Sequence, residues 1–390
     1  MEETDKTGLS GEPEPVPENA EAVRETPAAG TDGNAGAPDT EYGSADSSGD
    51  TDAARELLTM ARREMAKRIV GQAEMVDGLL TALIAGGHIL LEGVPGLAKT
   101  RAVKTLAEIT GLNFKRIQFT PDLLPADLTG TLVWEQATGA FAIRRGPVFA
   151  NVILADEINR APAKVQSALL EAMEEKQVTI GQRSYPLPSP FFVLATQNPI
   201  EHEGTYALPE AELDRFLLKL LIRYPAAEEE LRILGFAAPF DTRGGSEPEH
   251  YGNSLSPVLG PAALASLRRA ADSIFTDEQI CRYIVSVVAA SRPAPSRQIP
   301  GIEGGRPGRP REGLYRYIAF GASPRATLAL YRCAKIRALF EGRAFVNPED
   351  VKAAAFPVLR HRLVLSYEAE ADGLEPDSVI SRILTLVPMP

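Results

Sequence analysis

One junction constrains this chain's fold more than any other feature. His88-Ile89-Leu90-Leu91-Glu92 is followed by Gly93-Val94-Pro95-Gly96-Leu97-Ala98-Lys99-Thr100, and then by a helix-forming run over 100–110. The apolar Ile89-Leu90-Leu91 at the centre of this pentapeptide predicts a short buried strand, and the two glycines and the proline predict a tight loop. In that order the loop can wrap backbone N–H groups around phosphate oxygens, while the following helix N-terminus adds its partial positive charge. Lys99 supplies a full charge to the β- and γ-phosphates, and Thr100 offers a hydroxyl to Mg²⁺. Ala98 stands where the usual pattern has glycine. Alanine tolerates helical dihedrals, so the loop is expected to hold it at negative φ.

The rest of the first half repeats the theme of strand followed by helix. Strands are expected at 114–119, 152–155 and 191–196, separated by helices near 100–110, 162–175 and 209–217. Such alternation implies a mostly parallel sheet covered by helices on both faces. Ahead of it, Thr51 or Asp52 can cap a helix through Leu57, Leu58, Ala61, Met65 and Ile69, and 73–85 predicts a second helix. Two stretches break the pattern. Leu132–Ile143, around a Thr-Gly turn, and Gln177–Tyr185, around Gly181, are expected to be β-hairpins decorating the sheet domain. After Tyr224-Pro225 the strand signal stops. Helices are expected near 226–236, 261–270, 276–290, 324–341, 348–359 and 375–386, with a Pro/Gly-rich basic loop at 291–311. The expected organisation is a tail at 1–52, an α/β nucleotide-binding domain at 53–224 and an all-helical lid domain at 225–390.

Charge is distributed unevenly. Residues 1–52 hold 14 acidic and 2 basic side chains, so nearly all of the net charge of −11 belongs to them and the remainder is close to neutral. A segment this acidic and poor in branched apolar residues cannot offset its chain entropy, so it is expected to be disordered. The near-neutral body argues against a nucleic-acid partner. Two cysteines, Cys281 and Cys333, make no disulfide framework, and the four histidines show no metal spacing. No apolar run is long enough to span a bilayer. A cytoplasmic protein is expected.

The chemistry lies at the strand ends. Ligands in parallel sheets bind at the carboxyl ends of strands. Val152-Ile153-Leu154-Ala155 runs into Asp156-Glu157, where Asp156 can hold Mg²⁺, directly or through water, and Glu157 can orient and deprotonate an attacking water. The strand at 191–196 ends in Gln197-Asn198-Pro199, where Pro199 keeps Asn198 extended and able to reach a γ-phosphate. Alone, the Asp-Glu pair would be a solvated strand end and Asn198 a turn residue. Joined to the phosphate loop, they describe Mg²⁺-ATP hydrolysis.

These elements resemble the AAA+ superfamily and, within it, the MoxR family. The matching text is VGQ at 70–72, GVPGLAKT at 93–100, LADEINR at 154–160, ATQNP at 195–199, LPEAELDRF at 208–216 and GASPRA at 321–326, spread over about 53–390. Within that family the loop commonly reads GLAKT, so Ala98 fits. The resemblance implies that Val70 and Gly71 lie near the adenine, that Asn198 is the first sensor and Arg325 the second, and that Arg215 is an arginine finger for the neighbour's ATP. It matches the two hairpins to the insert in the second helix and the hairpin before the first sensor. It also implies a homo-oligomeric ring, a hexamer, that remodels or matures a client protein, with von Willebrand A domain proteins as typical partners.

Local chemistry supports the second sensor. Ser323 is a good N-cap and Pro324 suits the first helical position. Arg325 then sits in a first turn, where a cation opposes the helix dipole and calls for an anion. A plain ion pair to a nearby carboxylate is the alternative for Arg325. For Arg215 the local candidates are Glu210, Glu212 and Asp214. Two other functions compete: a nucleic-acid motor, which would bind DNA in a salt-sensitive way, and a nucleotide-binding scaffold without turnover.

Overall fold

The computed structural model describes residues 47–94, 97–137, 139–198, 205–237, 255–292 and 313–390. Residues 1–46 and nearly all of the 291–311 loop lie outside that set. Helix α1 (Ser47–Ala66) starts inside the segment expected to lack order. Asp50 complements the dipole of its first turn. Thr51, Ala54, Leu58, Ala61 and Met65, three or four residues apart, bury one stripe and secure the helix.

From α2 (Ala73–Ala85) the chain enters β1 (Ile89–Glu92), α3 (Lys99–Thr110), β2 (Phe114–Gln118), the short α4 (Pro125–Thr129) and the hairpin β3 (Gly130–Glu135) and β4 (Ala140–Arg145). It continues through β5 (Val152–Asp156), α5 (Ala163–Glu175), the hairpin β6 (Gln177–Ile180) and β7 (Arg183–Pro186), β8 (Phe192–Gln197), α6 (Glu210–Leu213) and β9 (Leu218–Leu221). Five strands form a parallel sheet in the order β2-β5-β8-β1-β9. The period of two sorts its side chains. Leu90, Ile153, Ala155, Val193 and Ala195 face α5, while Ile89, Leu91, Val152, Leu154, Phe192 and Leu194 face the opposite core with α1, α2 and α3.

Strand β9 was not expected. Its four residues, Leu-Lys-Leu-Leu, are too short to declare a period, and pairing with β1 (Ile89↔Leu218) supplies what the sequence pattern lacks. Lys219 pairs with Glu92 of β1 at 2.7 Å. Both expected hairpins form. In the first, Leu132, Trp134, Phe141 and Ile143 make an exposed apolar face in which Trp134 and Phe141 meet edge-on, their centroids 5.1 Å apart.

Beyond Tyr224 come α7 (Ala227–Ala237), α8 (Pro261–Ser273), α9 (Glu278–Ala290), β10 (Ile318–Phe320), α10 (Pro324–Phe340), α11 (Pro348–Leu359), β11 (Val364–Leu365), α12 (Tyr367–Ala371) and α13 (Pro376–Leu386). Among the described residues of this half, the departures from helix include the antiparallel pair β10–β11, five residues in all, and an isolated parallel bridge between Phe275 and Phe345. Helices α8 to α13 share the apolar core on the α1–α2 side of the sheet, and Ser44–Pro390 form one compact unit.

Candidate active site

The phosphate loop begins where two neighbouring strands crowd β1. The Ile222 amide donates to the Glu92 carbonyl at 2.7 Å. A Cβ on Gly93 would stand 2.7 Å from the Ile222 carbonyl oxygen, so only glycine fits there. Val94 and Leu97 are half-buried on either side of Pro95 and Gly96, which lie outside the described residues. Ala98 corrects the expectation of negative φ: it sits in the left-handed region, at φ 56 and ψ 15. From there its carbonyl accepts the first helical bond of α3, from Ala102 N–H at 2.9 Å. A non-glycine residue held this way costs roughly 1–2 kcal/mol, strain that the surrounding fold must hold.

Lys99 and Thr100 open α3 and face the carboxyl ends of β5 and β8. With Arg116, Asp156, Glu157 and Asn198 they line a cavity of about 390 Å³. Lys99 Nζ donates to the Gly93 carbonyl. Burial holds its ammonium below the ordinary lysine pKa, while Asp156, Glu157 and Glu92 pull the other way. Thr196, on β8 beside β5, ties the two acidic residues together. Its hydroxyl donates to Asp156 Oδ1 at 2.7 Å and accepts from the Glu157 amide at 2.9 Å. Glu157 is itself left-handed, at φ 57. Asn198 follows β8 directly and is buried.

Sequence reasoning missed the side chains that hold these carboxylates. Arg116 on β2 donates to Asp156 Oδ2 through Nη2 at 2.6 Å and Nε at 3.1 Å. Gln118 donates to Glu157 Oε2 at 2.8 Å, and Arg160 lies 3.1 Å from the same oxygen. The signal for Arg116 and Gln118 is parallel pairing, which sets Gln118 opposite Asp156.

The donor set fits Mg²⁺. Among the described residues no cluster of three or more His, Cys, Asp or Glu could cage a metal. One hydroxyl and one carboxylate suit an ion that keeps several waters and takes its remaining ligands from phosphate oxygens.

The other site candidates lie elsewhere. Gly71 is left-handed, at φ 72, and its Cα faces the Glu229 carboxylate. It lines a separate cleft with Ile222 and Tyr224, and Val70 is half-buried beside it. Arg215 and Arg325 are not beside Lys99. They line a second cavity together with Glu174, Lys176 and Arg332. Arg215 Nε is 3.1 Å from Glu174 Oε2, and Arg325 Nη2 donates to Glu174 Oε1. The anion that a cation in the first turn of α10 calls for is therefore Glu174. Two of the three residues expected to pair locally with Arg215 are engaged otherwise, since Asp214 accepts from Arg362 at 2.7 Å and Glu212 from Ser167 at 2.8 Å. At the base of this cavity His88 is buried and neutral. Burial takes its pKa down to about 4, and its Nδ1 accepts from Val193 N–H at 3.0 Å.

A glycine-lysine-threonine loop after the strand fourth in order across a five-stranded parallel sheet, with paired acids one strand beyond its neighbour and helices behind, defines the fold and site of the AAA class. The family model described as "ATPase family associated with various cellular activities (AAA)" matches residues 88–218, and the AAA lid domain matches 315–383. The chain belongs to the MoxR family of these ATPases. It is 46% identical to the chaperone MoxR1 of Mycobacterium tuberculosis, over 86% of this chain and 84% of that one. It is 33% identical to the protein MoxR of Methylorubrum extorquens, over 86% of this chain and 96% of that one. A crystal structure from Cytophaga hutchinsonii aligns with a TM-score of 0.75 at 43% identity, covering 88% of this chain and 97% of that one.

Proposed function

We propose that this chain binds Mg²⁺-ATP between Gly93–Thr100 and the ends of β5 and β8, and uses its hydrolysis to remodel a protein client. The observation that carries the reading is the convergence of Lys99, Thr100, Asp156, Glu157 and Asn198 on one cavity at the carboxyl ends of parallel strands. Lys99 and the amide groups of the loop neutralise the β- and γ-phosphates. Thr100 and Asp156 hold Mg²⁺, which when bound withdraws charge from the phosphate oxygens. Glu157 takes a proton from the attacking water as its oxygen bonds to the γ-phosphorus and the bond to the bridging oxygen of ADP breaks. Asn198 orients that water, and Val70 and Gly71 border the adenine.

Arg215, on the loop between α6 and β9, completes the site of an adjacent subunit in a ring, and Arg325 joins it there. Their joint place in the second cavity, away from Lys99, supports a role in trans. The ring is a hexamer in this reading. A cytoplasmic place is consistent with the finding that no described helix is long and apolar enough to cross a membrane. The exposed Leu132, Trp134, Phe141 and Ile143 face offers apolar surface to a client, for which a von Willebrand A domain protein is the leading candidate.

Fluorescent-nucleotide binding and phosphate release test the site. Lys99→Ala is expected to lose nucleotide affinity, because the phosphate charge loses its counter-ion. Glu157→Gln is expected to bind as the parent does and to turn over at least about a hundredfold more slowly, as loss of a positioned general base costs. Parental turnover in Glu157→Gln would sink the assignment of the base.

A further inference from the structure

Two arginines from distant parts of the chain share one carboxylate. Glu174 is the penultimate residue of α5, Arg215 follows α6, and Arg325 is the second residue of α10. Each oxygen of Glu174 serves one guanidinium: Oε2 lies 3.1 Å from Arg215 Nε, and Oε1 accepts from Arg325 Nη2. Two guanidinium groups this close repel. The carboxylate between them cancels one of the two charges and fixes their spacing, while Lys176 and Arg332 on the same cavity wall keep the cluster cationic.

The edge that Glu174 uses matters. It approaches Arg215 along the Nε side, and the two terminal Nη groups of Arg215 make no hydrogen bond among the described residues. A planar guanidinium held by its side keeps its end for a two-point grip on phosphate oxygens. The three side chains are about one-third to one-half exposed, so the cluster opens outward. The loop carrying Arg215 is in turn fixed to the lid. Asp214 accepts from Ser323 at the start of α10 (2.8 Å) and from the buried Arg362 after α11 (2.7 Å).

We infer that Glu174 is a positioning residue for the arginines that act in trans. It aligns Arg215 and Arg325 as one anion-binding unit for the γ-phosphate of an adjacent subunit, and it joins that unit to the N-terminus of α10. The inference rests on the reading of Arg215 as a finger in trans. Its chemistry is geometric, because a guanidinium displaced by about 1 Å can lose as much as a hundredfold in rate.

Glu174→Gln keeps the shape, loses the charge and is expected to fold with the parental thermal midpoint. It should bind a fluorescent ATP analogue with parental affinity and show a KM changed less than about twofold, with kcat lowered about tenfold, part of that hundredfold ceiling. Glu174→Asp should recover part of the lost kcat. The decisive arm mixes Glu174→Gln with Glu157→Gln, which lacks its own base but keeps an intact Glu174, Arg215 and Arg325. If Glu174 serves the neighbour, turnover per Glu174→Gln subunit rises toward the parental rate as the Glu157→Gln fraction grows. The same mixture made with Arg215→Ala reads the underlying premise. If Arg215→Ala is rescued while Glu174→Gln either needs no rescue or receives none, Glu174 is not the positioning group. If Arg215→Ala itself is not rescued, the trans reading fails and this inference falls with it.

Discussion

Thr196 uses its one hydroxyl twice, accepting from the Glu157 amide and donating to Asp156 Oδ1, so a single small side chain sets the spacing of both acids. Thr196→Val keeps the shape and removes the partner of the Glu157 amide and of Asp156 Oδ1, while Arg116 still holds Asp156 Oδ2, at about 1–3 kcal/mol for a buried polar group left unpaired. Steady-state phosphate release is expected to show kcat reduced about tenfold or more, at the low end of that penalty, with parental nucleotide affinity. An unchanged kcat would mean that Glu157 is placed without Thr196. At this scale the sequence carried the acids and the phosphate loop because each is contiguous and each marks the end of an apolar run. It did not carry Arg116 or Gln118, which reach Asp156 and Glu157 from β2, about 40 residues earlier in the chain, only because the two strands pair in parallel. Ala98 was misjudged for a different reason. The general preference of alanine for negative φ was applied to a position where the turn from loop to α3 requires φ 56.

Among the elements, α10 and α11 matter most to the proposed role of Arg215, because they hold the loop that carries it. The Arg362 side chain is 3% exposed. It donates to Asp214 Oδ1 at 2.7 Å and to the carbonyls of Asp214, Phe216 and Leu217, so one guanidinium closes the whole turn before β9. Removing one member of a buried pair leaves the other charge uncompensated, at about 3–5 kcal/mol. Arg362→Met should therefore lower unfolding free energy by about 3 kcal/mol in urea titrations, the low end of that range because Ser323 still donates to Asp214. A loss below about 1 kcal/mol, the scale of an exposed pair, would show that the turn holds its shape unaided. The elements themselves were legible where periodicity was long: α2, α5, α9, α10 and the two hairpins fall where their patterns put them. Periodicity failed over the four residues of β9 and the ribbon β10–β11, where partner strands decide. It also set the start of α1 several residues late, because the stripe through Thr51 and Ala54 begins within a polar, acidic stretch.

For the whole molecule, separating Arg215 and Arg325 from Lys99 divides the chemistry between two places on one chain. One cavity holds the loop and acids, and the other holds paired cations with no phosphate-binding loop beside them. The sequence proposed the participants but could not show this division, which follows from where α10 docks against the turn after α6. On the proposed reading of Arg215 as a finger in trans, a chain built this way needs a second copy to assemble a complete site. An arginine supplied in trans is worth about 10³–10⁵ in rate in the best-studied cases, so the two halves should be nearly silent when separated. The most direct test mixes Arg215→Ala with Glu157→Gln, in rings shown by light scattering to contain both variants. Each variant alone is expected to bind ATP and hydrolyse it very slowly. Mixed, they form interfaces in which an intact Glu157 site faces an intact Arg215, and phosphate release should rise well above the sum of the separate rates. Phosphate release no greater than that sum would contradict an active site shared between subunits.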